Sequence, residues 1–162
     1  MARTIATTSE VDRDALLDFV RPRHHLVLVT TRRDGTPQAS PVTGGVDADG
    51  RFVIASYPER AKARNARRHP EVSVLVLSDD VDGAWVQADG TCEVLDVADS
   101  PEAPHMLDAF VDYYRCIAGE HPDWDDYRRA MLDQRKCLLR ITPTRLGAGR
   151  DGWPPRGPGV TR

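Results

Sequence analysis

The chain has 162 residues, with 25 acidic and 22 basic side chains and a net charge of −3. That length suits a single domain with a real core, and the slightly acidic balance argues against a general nucleic-acid footprint. No apolar run approaches a membrane span, and the opening MARTIATTSE lacks the hydrophobic centre and cleavage site of a signal peptide, so a soluble cytoplasmic protein is expected.

In chain order, Ser9 is read as the cap of a first helix, with Asp12 at the fourth position of SEVD. Val11, Ala15, Leu16 and Phe19 form its apolar stripe, and it stops near Pro22. The period then changes to two. His25 to Arg33 reads as a strand, Asp34-Gly35 as a hairpin turn and Gln38 to Val46 as the returning strand. A turn at Asp47 to Gly50 leads to a third strand, Arg51 to Ser56, so the first half is an antiparallel meander without room for crossover helices.

Next comes ASYPERAKARNARRHP, where the strand ending in Ser56 turns into a short helix carrying Arg60, Lys62, Arg64, Arg67 and Arg68. A helix start carries partial positive charge, so cations in its first turn are unfavourable, and Arg60 and Arg64 repel at i,i+4. Two readings fit. The segment is a solvated basic face, or an anion is held by Ser56, the free helical N–H groups, Arg60 and Lys62. Lys62 and Lys136 are the only lysines in an arginine-rich chain, which marks position 62 as one where a compact ammonium is wanted.

After Pro70, Val72 to Leu77 reads as a buried strand, Asp79 to Gly83 as a turn, and Ala84 to Val97 as a long strand with a bulge or bend at Asp89-Gly90. Pro101 opens a helix with Met106, Phe110, Tyr113 and Ile117 at helical spacing, and a second helix from Asp123 turns Trp124, Tyr127 and Met131 one way. Cys137 to Ile141 is the closing strand. Residues 1–146 then form one domain, and residues 147–162 a Gly- and Pro-rich tail without regular structure. Short antiparallel strands, one of them bent, with few helices point to a mainly β fold: a small β-barrel with peripheral helices. Such a barrel fills with side chains, so a large planar ligand sits against a face or between subunits.

His24, His25, His69, His105 and His121 show neither an HExxH pattern nor paired spacing with cysteines, and no metal site is expected. Cys92, Cys116 and Cys137 suit reduced thiols buried as small hydrophobes. No GxSxG elbow, Walker loop or Rossmann GxGxxG occurs, and Asp123, Asp125 and Asp126 are explained by a helix start, so no catalytic side chain stands out. Trp85 reads as core or interface, and Ser40 and Thr43 as ordinary strand residues unless a ligand lies across them.

The succession DGTPQASPV, SYPERAKARN, DGAWVQADGTCEV and YRCIAGEHPDWDDYRRAM resembles the pyridoxamine 5′-phosphate oxidase-like (PPOX class) split β-barrel proteins, in particular the actinobacterial branch that uses the deazaflavin coenzyme F420. The similarity runs from Ile5 to Ile141, and RAKARN and GEHPDWDDYR are its most specific pieces. It implies an F420-dependent oxidoreductase that passes a hydride between the deazaflavin and a small organic acceptor, as a homodimer with two cofactor sites at the subunit interface. By position, Arg60 and Lys62 resemble the phosphate-binding pair, Ser56 a neighbouring donor and Asn65 a helper. Gln38, Ala39, Ser40, Pro41, Val42 and Thr43 match the strand beside the ring. Gly83, Ala84, Trp85 and Val86 match a segment that reaches the ring or tail, from the same or from the other subunit. Arg64, Arg67 and Arg68 suit the long anionic tail of F420. FMN on the same site is the alternative cofactor, and a non-catalytic F420 carrier is the alternative of a different class.

Overall fold

A computed structural model describes residues 12–80, 83–99 and 104–149. The strands are β-branched and apolar runs whose pleat alternates burial: β1 (His25–Thr31) and β4 (Glu71–Leu77) each bury every second side chain. With β2 (Pro37–Val46), β3 (Phe52–Ser56), β5 (Trp85–Asp96) and β6 (Cys137–Ala148) they close an antiparallel barrel in the order β1-β2-β3-β6-β5-β4. The mainly β barrel expected from the sequence is the fold. Leu26, Leu28, Phe52, Ile54, Val74, Leu139 and Ile141 fill its interior, each at most 1% exposed, so a planar ring has no place inside.

α1 (Arg13–Val20) lays Leu16, Leu17, Phe19 and Val20 on the barrel core. The proposed Ser9 cap lies outside the described residues. Asp12 is not the fourth residue of a capping box but the cap itself, its carboxylate accepting from the Ala15 N–H at 3.3 Å. The two hairpin turns form as expected, with Gly35 and Gly50 at φ of 86° and 79°. In the second, the buried Asp47 carboxylate accepts from the Asp49 and Arg51 N–H groups at 3.0 and 2.9 Å and pairs with the Arg51 guanidinium at 2.8 Å.

The strand pattern breaks where Asp89-Gly90 suggests. The β5–β6 register shifts between Asp89 and Gly90, with Pro143, which has no N–H to give the ladder, opposite Gly90. A Cβ on Gly90 would collide with the Thr142 carbonyl oxygen. Gly90→Ala is expected to cost roughly 1–3 kcal/mol, read as a lower urea midpoint at unchanged slope. Gly147 and Ala148, expected to begin an irregular tail, instead extend β6 and pair with Gln87 and Val86. The long β5 offers them a free edge, and that long-range pairing decides what local composition does not.

α3 (Pro104–Ala118) and α4 (Trp124–Asp133) lie outside the barrel on the outer faces of β3, β5 and β6. There Val53, Leu95 and Leu138 pack against Met106, Phe110, Val111, Tyr127 and Met131 as a second core. The expected helix start at Pro101 lies outside the described residues. Asp123 caps α4, accepting from the Asp126 N–H at 3.0 Å. The rings of Tyr114, His121, Trp124 and Tyr127 cluster with centroids 5.1 to 5.8 Å apart, and the Tyr127 hydroxyl donates to the Phe110 carbonyl at 3.1 Å, so GEHPDWDDYR is a packing element. The outer face of β2, β1, β4 and β5 differs. Pro41, Val27, Val29, Leu75 and Leu77 stay partly or fully exposed there, Leu77 at 44%. No described helix is long and apolar enough to cross a membrane.

Candidate functional site

α2 (Ala61–Arg68) crosses one mouth of the barrel, from the end of β3 to the start of β4. Ala63 and Ala66 let its backbone lie close on the barrel core, and Asn65 is buried beside them. Its N-terminus is unusual. Arg60 is the cap residue, no side chain caps it, and the first turn holds no acid, so the leading N–H groups lack a described side-chain acceptor. Ser56, 5% exposed at the end of β3, has a buried Oγ without a partner among the described residues. Among the described residues Arg60, Lys62 and Arg64 make no ion pair. Burial, and then the Arg60 charge, push the half-buried Lys62 ammonium below its ordinary pKa. Lys136 joins this turn, its Nζ 4.1 Å above the centre of the Tyr57 ring. An orphaned hydroxyl, uncapped amides and unpaired cations make a donor set that fits an anion.

The rest of the basic segment faces elsewhere. Arg67 pairs with Asp96 at 2.7 Å and Asp99 at 3.4 Å, and Arg68 donates to Asn65 Oδ1 at 2.6 Å. Of the three arginines expected to suit an anionic tail, two are engaged within the fold and Arg64 remains. Asn65 turns its amide into the barrel, toward Thr30 and Gln38, not toward the helix N-terminus.

β2 divides at Gly44. Gly44 to Val46 pair with β3, whereas residues 37–43 pair, among the described residues, only with β1. A Cβ on Gly44 would stand 2.9 Å from Ile54 Cγ1, Leu26 Cδ1 and the Val53 carbonyl oxygen, so the strands meet there only because the residue is glycine. Beyond it β3 no longer pairs with β2, and Gln38 at the start of this segment meets Asn65 of α2. Along this segment Gln38, Ser40 and Val42 are half-buried, while Ala39, Pro41 and Thr43 are exposed.

Gly83, Ala84, Trp85 and Val86 lie at the other end of the barrel. Trp85 pairs with Leu77, the last residue of β4, and Glu71 at the α2 end is six residues back, about 20 Å at strand rise. One copy of the chain therefore does not bring these four to α2. Near them Arg23, His24, His25 and Leu77 help line a cavity of about 340 Å³, for which no motif in the chain is a signal. Thr30 was missed as well: within HLVLVTT it reads as a β-former, and only its partners Asn65 and Gln38 mark it as part of a network.

The thiols offer no nucleophile. Burial pushes Cys92 up to about 12 and Cys116 and Cys137 to about 11, which keeps them protonated at neutral pH.

The described elements, from α1 to β6, coincide with the span over which the chain matches a known family, the model for pyridoxamine 5′-phosphate oxidase aligning with residues 13–148. Among solved structures, the conserved hypothetical protein Rv2991 from Mycobacterium tuberculosis superposes with a TM-score of 0.68 at 23% identity, covering 99% of this chain and 98% of that one. An F420 reductase matches at 0.54 and 18% identity over 80% of this chain and 93% of its own. A heme binding protein from Mycobacterium smegmatis matches at 0.60 and 19% identity over 85% of this chain and 54% of its own. At these identities the likeness is one of fold, and ligands differ between such neighbours. The sheet order, the split at β2 and the family match over residues 13–148 agree, and the chain belongs to the pyridoxamine 5′-phosphate oxidase family.

Proposed function

We propose that this chain is an oxidoreductase that works with the deazaflavin F420 and passes a hydride to or from a small organic acceptor. One observation carries the reading: α2 begins with uncapped amides and with Arg60, Lys62 and Arg64, none in an ion pair among the described residues, shortly after Ser56, whose buried hydroxyl has no partner among them. When bound, the deazaflavin supplies two-electron hydride chemistry. Arg60, Lys62 and the first α2 amides hold its phosphate, and the Gln38 to Thr43 edge orients the ring. A second copy of the chain, docked on the apolar face of Val27, Val29, Leu75 and Leu77, excludes water and carries its own Gly83 to Val86 segment toward the ring. The enzyme then acts by positioning and desolvation, without a dedicated catalytic side chain.

Arg67 is neutralised by Asp96 and Asp99 and the Arg68 guanidinium is held by Asn65, so less of the extra charge is free for a long anionic tail, and this supports FMN as the second reading. The test is to mix purified protein with F420 and to follow oxidation of the reduced form with quinones, enones and tetrapyrroles. Quenched F420 fluorescence and at least one oxidised acceptor are expected. A yellow preparation with an FMN spectrum gives the second reading, binding without any acceptor gives a carrier, and indifference to both cofactors overturns the proposal.

A further inference from the structure

The polar side chains between α2 and β2 form a chain of hydrogen bonds whose direction is set from one end. Arg68 Nη2 stands 2.6 Å from Asn65 Oδ1, and a guanidinium only donates. The Asn65 oxygen therefore faces Arg68, and its Nδ2 donates to Thr30 Oγ1 at 3.1 Å and, more weakly, to Gln38 Oε1 at 3.5 Å. Thr30, 1% exposed, passes its own hydrogen to Gln38 Oε1 at 3.2 Å. That fixes the Gln38 amide, whose Nε2 donates to Ser40 Oγ at 2.7 Å. Ser40 is the acceptor in this bond. Its own O–H finds no acceptor among the described residues, and it lies half-buried on the segment of β2 that lacks a second partner strand.

We propose that Arg68, Asn65, Thr30 and Gln38 are positioning residues that hold the Ser40 hydroxyl as a hydrogen-bond donor to an acceptor atom, a carbonyl oxygen or ring nitrogen, of the bound cofactor ring. This rests on the reading of Gln38 to Thr43 as the bed of that ring. Reversing the Asn65 amide would reverse every later link and turn Ser40 into a donor to Gln38, with only lone pairs left for a ligand. A donor-only residue at position 68 prevents this. The network, buried at Thr30 and Asn65, also holds the Ser40 oxygen as the acceptor of the Gln38 amide before the ligand arrives, which leaves its hydrogen to point away from Gln38.

The experiment titrates F420 and FMN into wild type, Ser40→Ala, Ser40→Thr, Arg68→Leu, Arg68→Lys and the Ser40→Ala/Arg68→Leu double variant, with side-chain amide NMR of the ligand-free proteins. Ser40→Ala and Arg68→Leu should each weaken binding about tenfold, as for one lost hydrogen bond. The double variant should be no weaker than either single one, because both remove the same contact. Ser40→Thr and Arg68→Lys, which keep a hydroxyl and a donor-only cation, should bind like wild type. Without ligand, Arg68→Leu should shift the Gln38 side-chain amide resonances as well as those of Asn65. Wild-type affinity in Ser40→Ala, additive losses in the double variant, or a Gln38 amide indifferent to Arg68→Leu would overturn the relay while the cofactor reading stands. A wild-type protein that binds neither cofactor overturns both.

Discussion

Replacing Arg60 and Lys62 together by alanine should weaken F420 or FMN binding by about a hundredfold and, at the same time, stabilise the ligand-free protein. Each charge-assisted contact to a phosphate is worth on the order of 1–3 kcal/mol, and the two are lost together. The opposite sign for stability follows from what these cations face without ligand. They stand at the positive end of α2 with no acid in its first turn, and Lys62 is half-buried beside Arg60. Removing them relieves roughly 0.3–1 kcal/mol of repulsion. A solvated basic face would give neither the loss of affinity nor the gain in stability.

The same residue fixes a pH dependence. Lys62 has a lower pKa folded than unfolded, so just below the ordinary lysine value of 10.5 the unfolded chain binds more protons. In that window the Lys62 contribution to stability rises with pH, against the opposite slope of the buried Cys92, Cys116 and Cys137 thiols, which the fold holds protonated, so it is read as the difference between wild type and Lys62→Ala. A bound anion favours the ammonium and lifts the pKa again, so cofactor affinity should fall as pH climbs through the same range. In Lys62→Ala the stability should fall more steeply with pH than in wild type, and the affinity trend should vanish. Chemical denaturation and cofactor titrations between pH 8 and 10.5 check them.

Phe52→Ala should destabilise the fold by about 3–5 kcal/mol, among the largest effects expected from a single substitution here. Phe52 is 0% exposed inside the barrel and pairs with Val46 on β2 and Ile141 on β6, so truncation leaves a cavity that two strands border. If the interior is core and the cofactor lies outside it, the surviving folded fraction should bind F420 or FMN with wild-type affinity. A large loss of affinity per folded molecule would place the ligand inside the barrel instead.

The strands were legible because each is a short β-branched or apolar run between turn signals, and the bulge at Asp89-Gly90 because glycine inside a strand has few other uses. The cationic start of α2 was legible for the same local reason: acids are missing where the helix dipole favours them. What escaped depends on contacts distant in sequence. Arg67 looked like part of an anion grip until Asp96, 29 residues later, came beside it. Thr30 and Gln38 became a network only when α2 carried Asn65 across the barrel mouth. The course of β6 past Pro143 was hidden because proline reads as a stop, yet opposite Gly90, at the register shift, its missing N–H breaks no regular ladder. Gly83 to Val86 carry no local sign of standing at the far end of the barrel from α2; that follows from the antiparallel pairing of β4 and β5.

The most direct test maps the backbone amides of the full chain by NMR during titration with F420, and with FMN in a parallel series. The largest shifts are expected at Ala61, Lys62 and Ala63 of α2 and at Ser56, with smaller ones along Gln38 to Thr43. Amides of α2 that stay in place while residues around Arg23, His24 and His25 move would contradict the account.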